Sequence, residues 1–97
     1  MYLGTYTFDG DPDELLARYD RMMAGFPQES LLVHLCVRGA NGITVIDTCP
    51  SETEFRAFST GPEFRAALGA VGLPEPTVDR IGDVHFARTP AGPVPIG

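Results

Sequence analysis

Ninety-seven residues, 43% hydrophobic and 21% charged, describe one folded domain rather than a disordered chain or a two-domain protein. Thirteen acidic against seven basic residues leave a net charge of −6. With no Arg-rich cluster, that surface repels a phosphate backbone and excludes nucleic acid as a partner.

No apolar run approaches the roughly 20 residues of a membrane span, so no membrane partner is expected. The opening MYLGTYTFDGD lacks the basic and long apolar regions of a secretory leader. Two cysteines without framework spacing suit a reducing, cytoplasmic location. A cross-strand Cys36–Cys49 disulfide is the alternative use of that pair.

YLGTYTF, residues 2–8, alternates in polarity and is rich in aromatic residues and threonine, so it reads as a strand. DGDPDE follows. Its spaced aspartates resemble a calcium loop, but Glu14 stands where that loop needs glycine and Pro12 interrupts it. Helix initiation fits better: Asp11 is the N-cap, Pro12 the first helical residue, and Glu14 closes a capping box. Leu15, Leu16, Tyr19, Met22, Met23 and Phe26 recur in steps of three and four, one stripe turned to a core. Gly25 and Pro27 end the helix.

SLLVHLCVR, residues 30–38, and ITVIDTC, residues 43–49, are two strands joined by GANG. The turn centre is either Ala40-Asn41 or Asn41-Gly42. Ser51 caps a further helix, Glu54 closes its box, and Phe55 with Phe58 forms its buried side. Another short helix opens at Pro62, turns Phe64, Leu68 and Val71 inward, and stops at Gly72. A last strand spans about 76–87, bent at Gly82. The order predicts an α+β, ferredoxin-like βαββαβ domain over residues 1–88, with one four-stranded antiparallel sheet and helices on one face. Residues 89–97 form a Pro/Gly-rich tail, extended or mobile.

The hairpin is apolar on both faces: Leu32 and Cys36 on one parity, Val33, Leu35 and Val37 on the other. Helices cover only one side of such a sheet. A second copy, sheet against sheet, is the simplest cover for the other side, so a homodimer is expected.

The stretch GITVIDTCPSETEFRAFSTGPEFRAALGAVGLPEP, with its flanking strands, resembles the dimeric α+β barrel superfamily and its antibiotic-biosynthesis-monooxygenase-like proteins. The resemblance covers nearly the whole chain in element order. It implies a ferredoxin-like subunit, a homodimer, and a small pocket between sheet and helices. Activities in that superfamily include cofactor-independent oxygenation of aromatic polyketides, isomerisation and haem degradation. Cys49 stands where the family's strand-end tryptophan falls, and the first strand has no asparagine of the haem-degrading kind. Haem degradation is therefore not expected here.

Turn length decides which hairpin side chains share a face. A two-residue loop, favoured by Asn-Gly, puts His34 and Cys36 beside Asp47 and Cys49; a three-residue loop groups His34 with Thr44, Ile46 and Thr48. In the first arrangement Asp47 orients the His34 imidazole, and the pair is a candidate catalytic general base. Tyr6, Cys36 and Cys49 would then wall a site for an apolar or aromatic ligand, and Tyr2 and Tyr19 are further candidates for its lining. Other readings make His34, Cys36, Asp47 and Cys49 a metal site, make a cysteine a nucleophile, or make the pair purely structural. His85 beside Asp83 raises the same question near a sheet edge. No glycine-rich phosphate loop or haem-attachment motif occurs, so no cofactor and no tightly bound metal is expected. A small cofactor-independent enzyme and a non-catalytic, ligand-binding or self-pairing module are the two functions left.

Overall fold

The computed structural model describes residues 1–26 and 33–96. Strand β1 (Tyr2–Asp9) leads into helix α1 (Pro12–Met23), and β2 (His34–Arg38) and β3 (Gly42–Cys49) form the hairpin. Helices α2 (Glu52–Thr60) and α3 (Pro62–Val71) precede β4 (Thr77–Asp83) and two short strands, β5 (Arg88–Thr89) and β6 (Gly92–Pro93). The first four strands make one antiparallel sheet in the order β2-β3-β1-β4. Three helices and this sheet make an α+β fold compatible with the ferredoxin-like arrangement. Among the described residues no helix is long and apolar enough to cross a membrane.

The helix starts follow from local chemistry. Asp11 accepts from the Glu14 amide at 3.1 Å, and Ser51 from the Glu54 amide at 3.2 Å. Each satisfies a backbone donor that the first helical turn leaves open. The α1 stripe buries Leu15 and Tyr19, while Leu16, Met22 and Met23 are half-buried against the same core. The helix ends at Met23 with Ala24 as its C-cap. Pro27, and residues 30–32 of the longer expected strand, lie outside the described residues.

Alternation in β1 sends Tyr2, Gly4, Tyr6 and Phe8 to the helix side. Gly4 is there because of Phe55. A Cβ at Gly4 would lie 2.0 Å from the Phe55 ring, and that ring is fully buried between Tyr2 and Tyr6, at centroid distances of 5.8 and 5.5 Å. Gly4→Ala therefore forces the ring out of its seat. The expected cost is about 1–3 kcal/mol of overpacking, read as a melting point lowered by about 4–8 °C per kcal/mol. A variant that melts like the parent would mean the ring has another place to go.

Three sequence expectations are corrected, and one alternative is set aside. Phe58 does not join the buried side of α2; Phe55 and Ser59 do, and Phe58 keeps 37% of its surface exposed. The last strand stops at Asp83, opposite Tyr2 where β1 begins; within the ladder the register slips at Leu3/Gly4, leaving Ile81 as an extra, exposed residue. The tail is not simply extended: β5 and β6 pair, and the Met1 ammonium donates to the Ile96 carbonyl at 2.6 Å. Cys36 and Cys49 are free thiols rather than a disulfide. The register sets Cys36 opposite Val45 and Cys49 opposite Tyr2, so the two are not cross-strand neighbours.

Candidate functional site

The hairpin loop has two residues, Ala40 and Asn41, closed by the Gly39 amide donating to the Gly42 carbonyl at 2.8 Å. Asn41-Gly42 is thus not the turn centre. Gly42 instead lies in β3, where a Cβ would come within 2.0 Å of the Phe8 carbonyl oxygen. The even loop has the anticipated consequence: His34 stands directly opposite Asp47. Thr48 fixes this end of the hairpin. Its hydroxyl accepts from the Val33 amide at 3.0 Å and donates to the Val33 carbonyl at 2.8 Å.

His34 Nδ1 lies 3.3 Å from Asp47 Oδ1, and both side chains are mostly buried. An ionised carboxylate only accepts, so Nδ1 carries the proton and donates it to Asp47. In the neutral imidazole Nε2 is then an acceptor, and the Tyr19 hydroxyl lies 2.5 Å from it. Asp47, His34 and Tyr19 form one hydrogen-bonded chain.

That chain borders a cavity of about 60 Å³ between sheet and helices. Tyr6, Phe8, Val45 and Asp47 form its floor, Tyr19, Met22 and Met23 one wall, and Phe58 and Phe64 another. Tyr6 is 3% exposed, and its hydroxyl has no hydrogen-bond partner among the described residues. Such a group is costly to bury, by about 1–3 kcal/mol, unless something accepts from it.

Of the residues singled out in the sequence, His34, Asp47 and Tyr6 meet at this cavity. Cys36 and Cys49 share the same sheet face and pack on the core, but neither is among the residues lining the cavity. Tyr2 packs against Phe55 instead, with the rings tilted at 51°. His85 is exposed beyond the end of β4, with Asp83 beside it. Among the described residues no three His, Cys, Asp or Glu side chains converge as metal ligands. Tyr19 as the third member of the chain was not anticipated. Its place in the helical stripe was the available signal, but helix docking decides which strand residue that stripe meets.

Burial raises the phenols of Tyr6 and Tyr19 and both thiols on this side of the sheet. It lifts the Tyr6 phenol far above its ordinary range, with Asp47 and Cys49 adding to the effect. Burial, then Cys36, Asp20 and Asp47, pushes Tyr19 up to about 12. Burial, then Asp47 and Glu54, pushes the Cys49 thiol to about 11 from 9.0, and burial with Asp20 raises Cys36. Thiols held protonated are poor nucleophiles.

A pH dependence follows from these shifts. In the unfolded chain the Cys49 thiol gives up its proton at 9.0 and the Tyr19 phenol at 10.0; in the folded protein they do so at about 11 and 12. Their contribution to stability is complete below pH 9 and is lost as pH rises through 11 and 12. Tyr19 phenolate absorbance should therefore appear together with loss of circular dichroism above pH 11. Ionisation of Tyr19 near pH 10 in a folded chain would contradict its burial.

Fold and site together define a small α+β protein with an internal, mostly apolar pocket bordered by a hydrogen-bonded Tyr19–His34–Asp47 chain. No protein-family model matches the sequence, and no curated protein is significantly similar to it.

Proposed function

We propose that the protein is a cofactor-independent enzyme of the dimeric α+β barrel kind, monooxygenase- or isomerase-like, acting on a small aromatic or polyketide-type molecule. One observation carries the reading: a buried Tyr19–His34–Asp47 chain ends at an apolar cavity. A carboxylate-supported imidazole takes up a proton from a phenol or an activated carbon, and an apolar wall strengthens that interaction by excluding water. His34 and Asp47 are the catalytic pair in this reading, and Tyr6 binds the ligand.

The second copy belongs to the same proposal. On the sheet face away from the helices, Leu35 and Val37 are 52% and 47% exposed, and Ile46 lies beside Leu35 in the register. Threonines 5, 7 and 44 fill the positions between, and Asp79 at the β4 edge and Asp9 at the rim are the charges of that parity. A chain of net charge −6 pairs with itself most readily through such a nearly uncharged face.

A cavity of about 60 Å³, well below the few hundred typical of ligand sites, favours a second reading. In it both imidazole nitrogens are engaged structurally, and the dimer is a non-catalytic module that binds a small apolar ligand. Turnover separates the two. The enzyme consumes a phenol or aromatic 1,3-dicarbonyl compound without added cofactor, faster than its His34→Gln variant. Equal rates for the two proteins would leave the module.

A further inference from the structure

We infer that the cavity enolises a small, uncharged carbonyl compound: Tyr6 donates to the carbonyl oxygen while Tyr19 takes an α-proton and passes its own to His34. The inference rests on the reading of His34 and Asp47 as a base and names the substrate class for it.

Three observations converge. The Tyr6 hydroxyl is buried and lacks a partner among the described residues, and Tyr6 is one of the residues lining the cavity. It is held between Phe55 and Phe64, whose ring centroids lie 5.5 and 5.0 Å away, so it cannot swing out to water. A donor placed in this way asks for an acceptor on the ligand. On the other side of the cavity, His34 Nε2 is not bare: the Tyr19 hydroxyl occupies it at 2.5 Å. Base strength reaches the cavity through the Tyr19 oxygen, whose lone pairs remain available.

The remaining walls set the ligand's charge and size. Phe8, Met22, Met23, Val45 and Phe64 are apolar, and Asp47 is the carboxylate at the floor. An anionic ligand would meet both desolvation and Asp47, so the acceptor belongs to a neutral carbonyl. The resting cavity suits a few heavy atoms. Two flexible methionines and the exposed Phe58 at its border can yield to a ring.

The step balances within these groups. The α C–H bond breaks and its electron pair becomes the enolate double bond, while the carbonyl oxygen takes the negative charge against the Tyr6 O–H. The α-proton goes to the Tyr19 oxygen as the Tyr19 proton moves to His34 Nε2, giving an imidazolium beside Asp47. Because Tyr19 holds its own proton up to about pH 12, the two transfers occur together rather than through a free phenolate. Reprotonation at the same or another carbon reverses the path, and no oxidant enters.

The test is deuterium exchange into acetone, cyclopentanone and 2-indanone by the full chain in D₂O, with binding followed by saturation transfer on the same samples. A bound ketone should lose its α-protons faster than in buffer. Tyr6→Phe, which removes only the unpartnered hydroxyl, should slow that exchange about 10²-fold or more and remove the preference for 2-indanone over indane. His34→Gln should abolish exchange and leave binding unchanged. A ketone that binds but exchanges at the buffer rate overturns the inference and leaves the pocket reading standing, as does a Tyr6→Phe protein that exchanges like the parent. If none of the three ketones nor indane binds, the pocket reading falls with it.

Discussion

Ile46→Asp is expected to convert the proposed homodimer into a folded monomer. Ile46 sits near the middle of the open sheet face, between Leu35 on β2 and Thr5 on β1. In a twofold, face-to-face pairing each substitution appears twice, so two carboxylates enter one apolar interface. A buried charge without a partner costs about 3–5 kcal/mol, which weakens association by about 10²–10⁴-fold per site. Within one subunit the same position is only half-buried, so the domain should fold and keep its helical circular dichroism. Ile46→Val keeps the face apolar and should remain dimeric. Light scattering at micromolar concentration reads all three proteins. A parent that scatters as a monomer, or an Ile46→Asp variant that stays dimeric, would remove the argument for a second copy on this face. Val45 is its internal control: it occupies the adjacent position in sequence but points into the core and lines the cavity, so its replacement by Asp should unfold the chain.

Whatever depends on sequence period or end chemistry was legible from residues alone. Asp11, Pro12, Ser51 and Gly72 each act at a helix boundary through their own side chain or backbone geometry. Strand parity required nothing beyond the period of two and an even turn, and it placed His34 opposite Asp47. What was not legible depends on how layers dock. Gly4 reads as a weak point in a strand until Phe55 is seen lying on it. Phe58 fits a buried stripe by spacing, but a nine-residue helix has room for one deeply buried aromatic on this sheet, and Phe55 takes that place. Tyr19 reaches His34 because α1 packs on β3, the strand paired with β2, a docking that no single segment encodes. Cys36 and Cys49 share a face with His34 and Asp47, yet a face is wider than a cavity, and both lie beyond its lining. Parity finds neighbours on a sheet but does not find the hole above it.

His34→Ala is expected to abolish turnover, and also to destabilise the fold, which is why it needs His34→Gln beside it. Truncation to alanine leaves the Asp47 carboxylate and the Tyr19 hydroxyl without their partner. A buried polar group so orphaned costs about 1–3 kcal/mol, and more when it is charged. Part of any lost activity would then be lost protein. Glutamine is different: its amide oxygen can accept from Tyr19 roughly where Nε2 does, and the chain keeps its packing against β3. It cannot take up a proton at neutral pH. If His34 is a base, His34→Gln should melt within a few degrees of the parent while losing about 10²–10⁴-fold in rate, the usual contribution of a positioned base. Asp47→Asn should give a smaller loss, because the imidazole remains but its Nδ1 proton is no longer held by a charge. If His34 is instead a structural strut, glutamine should restore whatever alanine destroys, rate as well as melting temperature. Thermal melts and rates of the three variants separate these outcomes, since stability and rate move together only in the structural case.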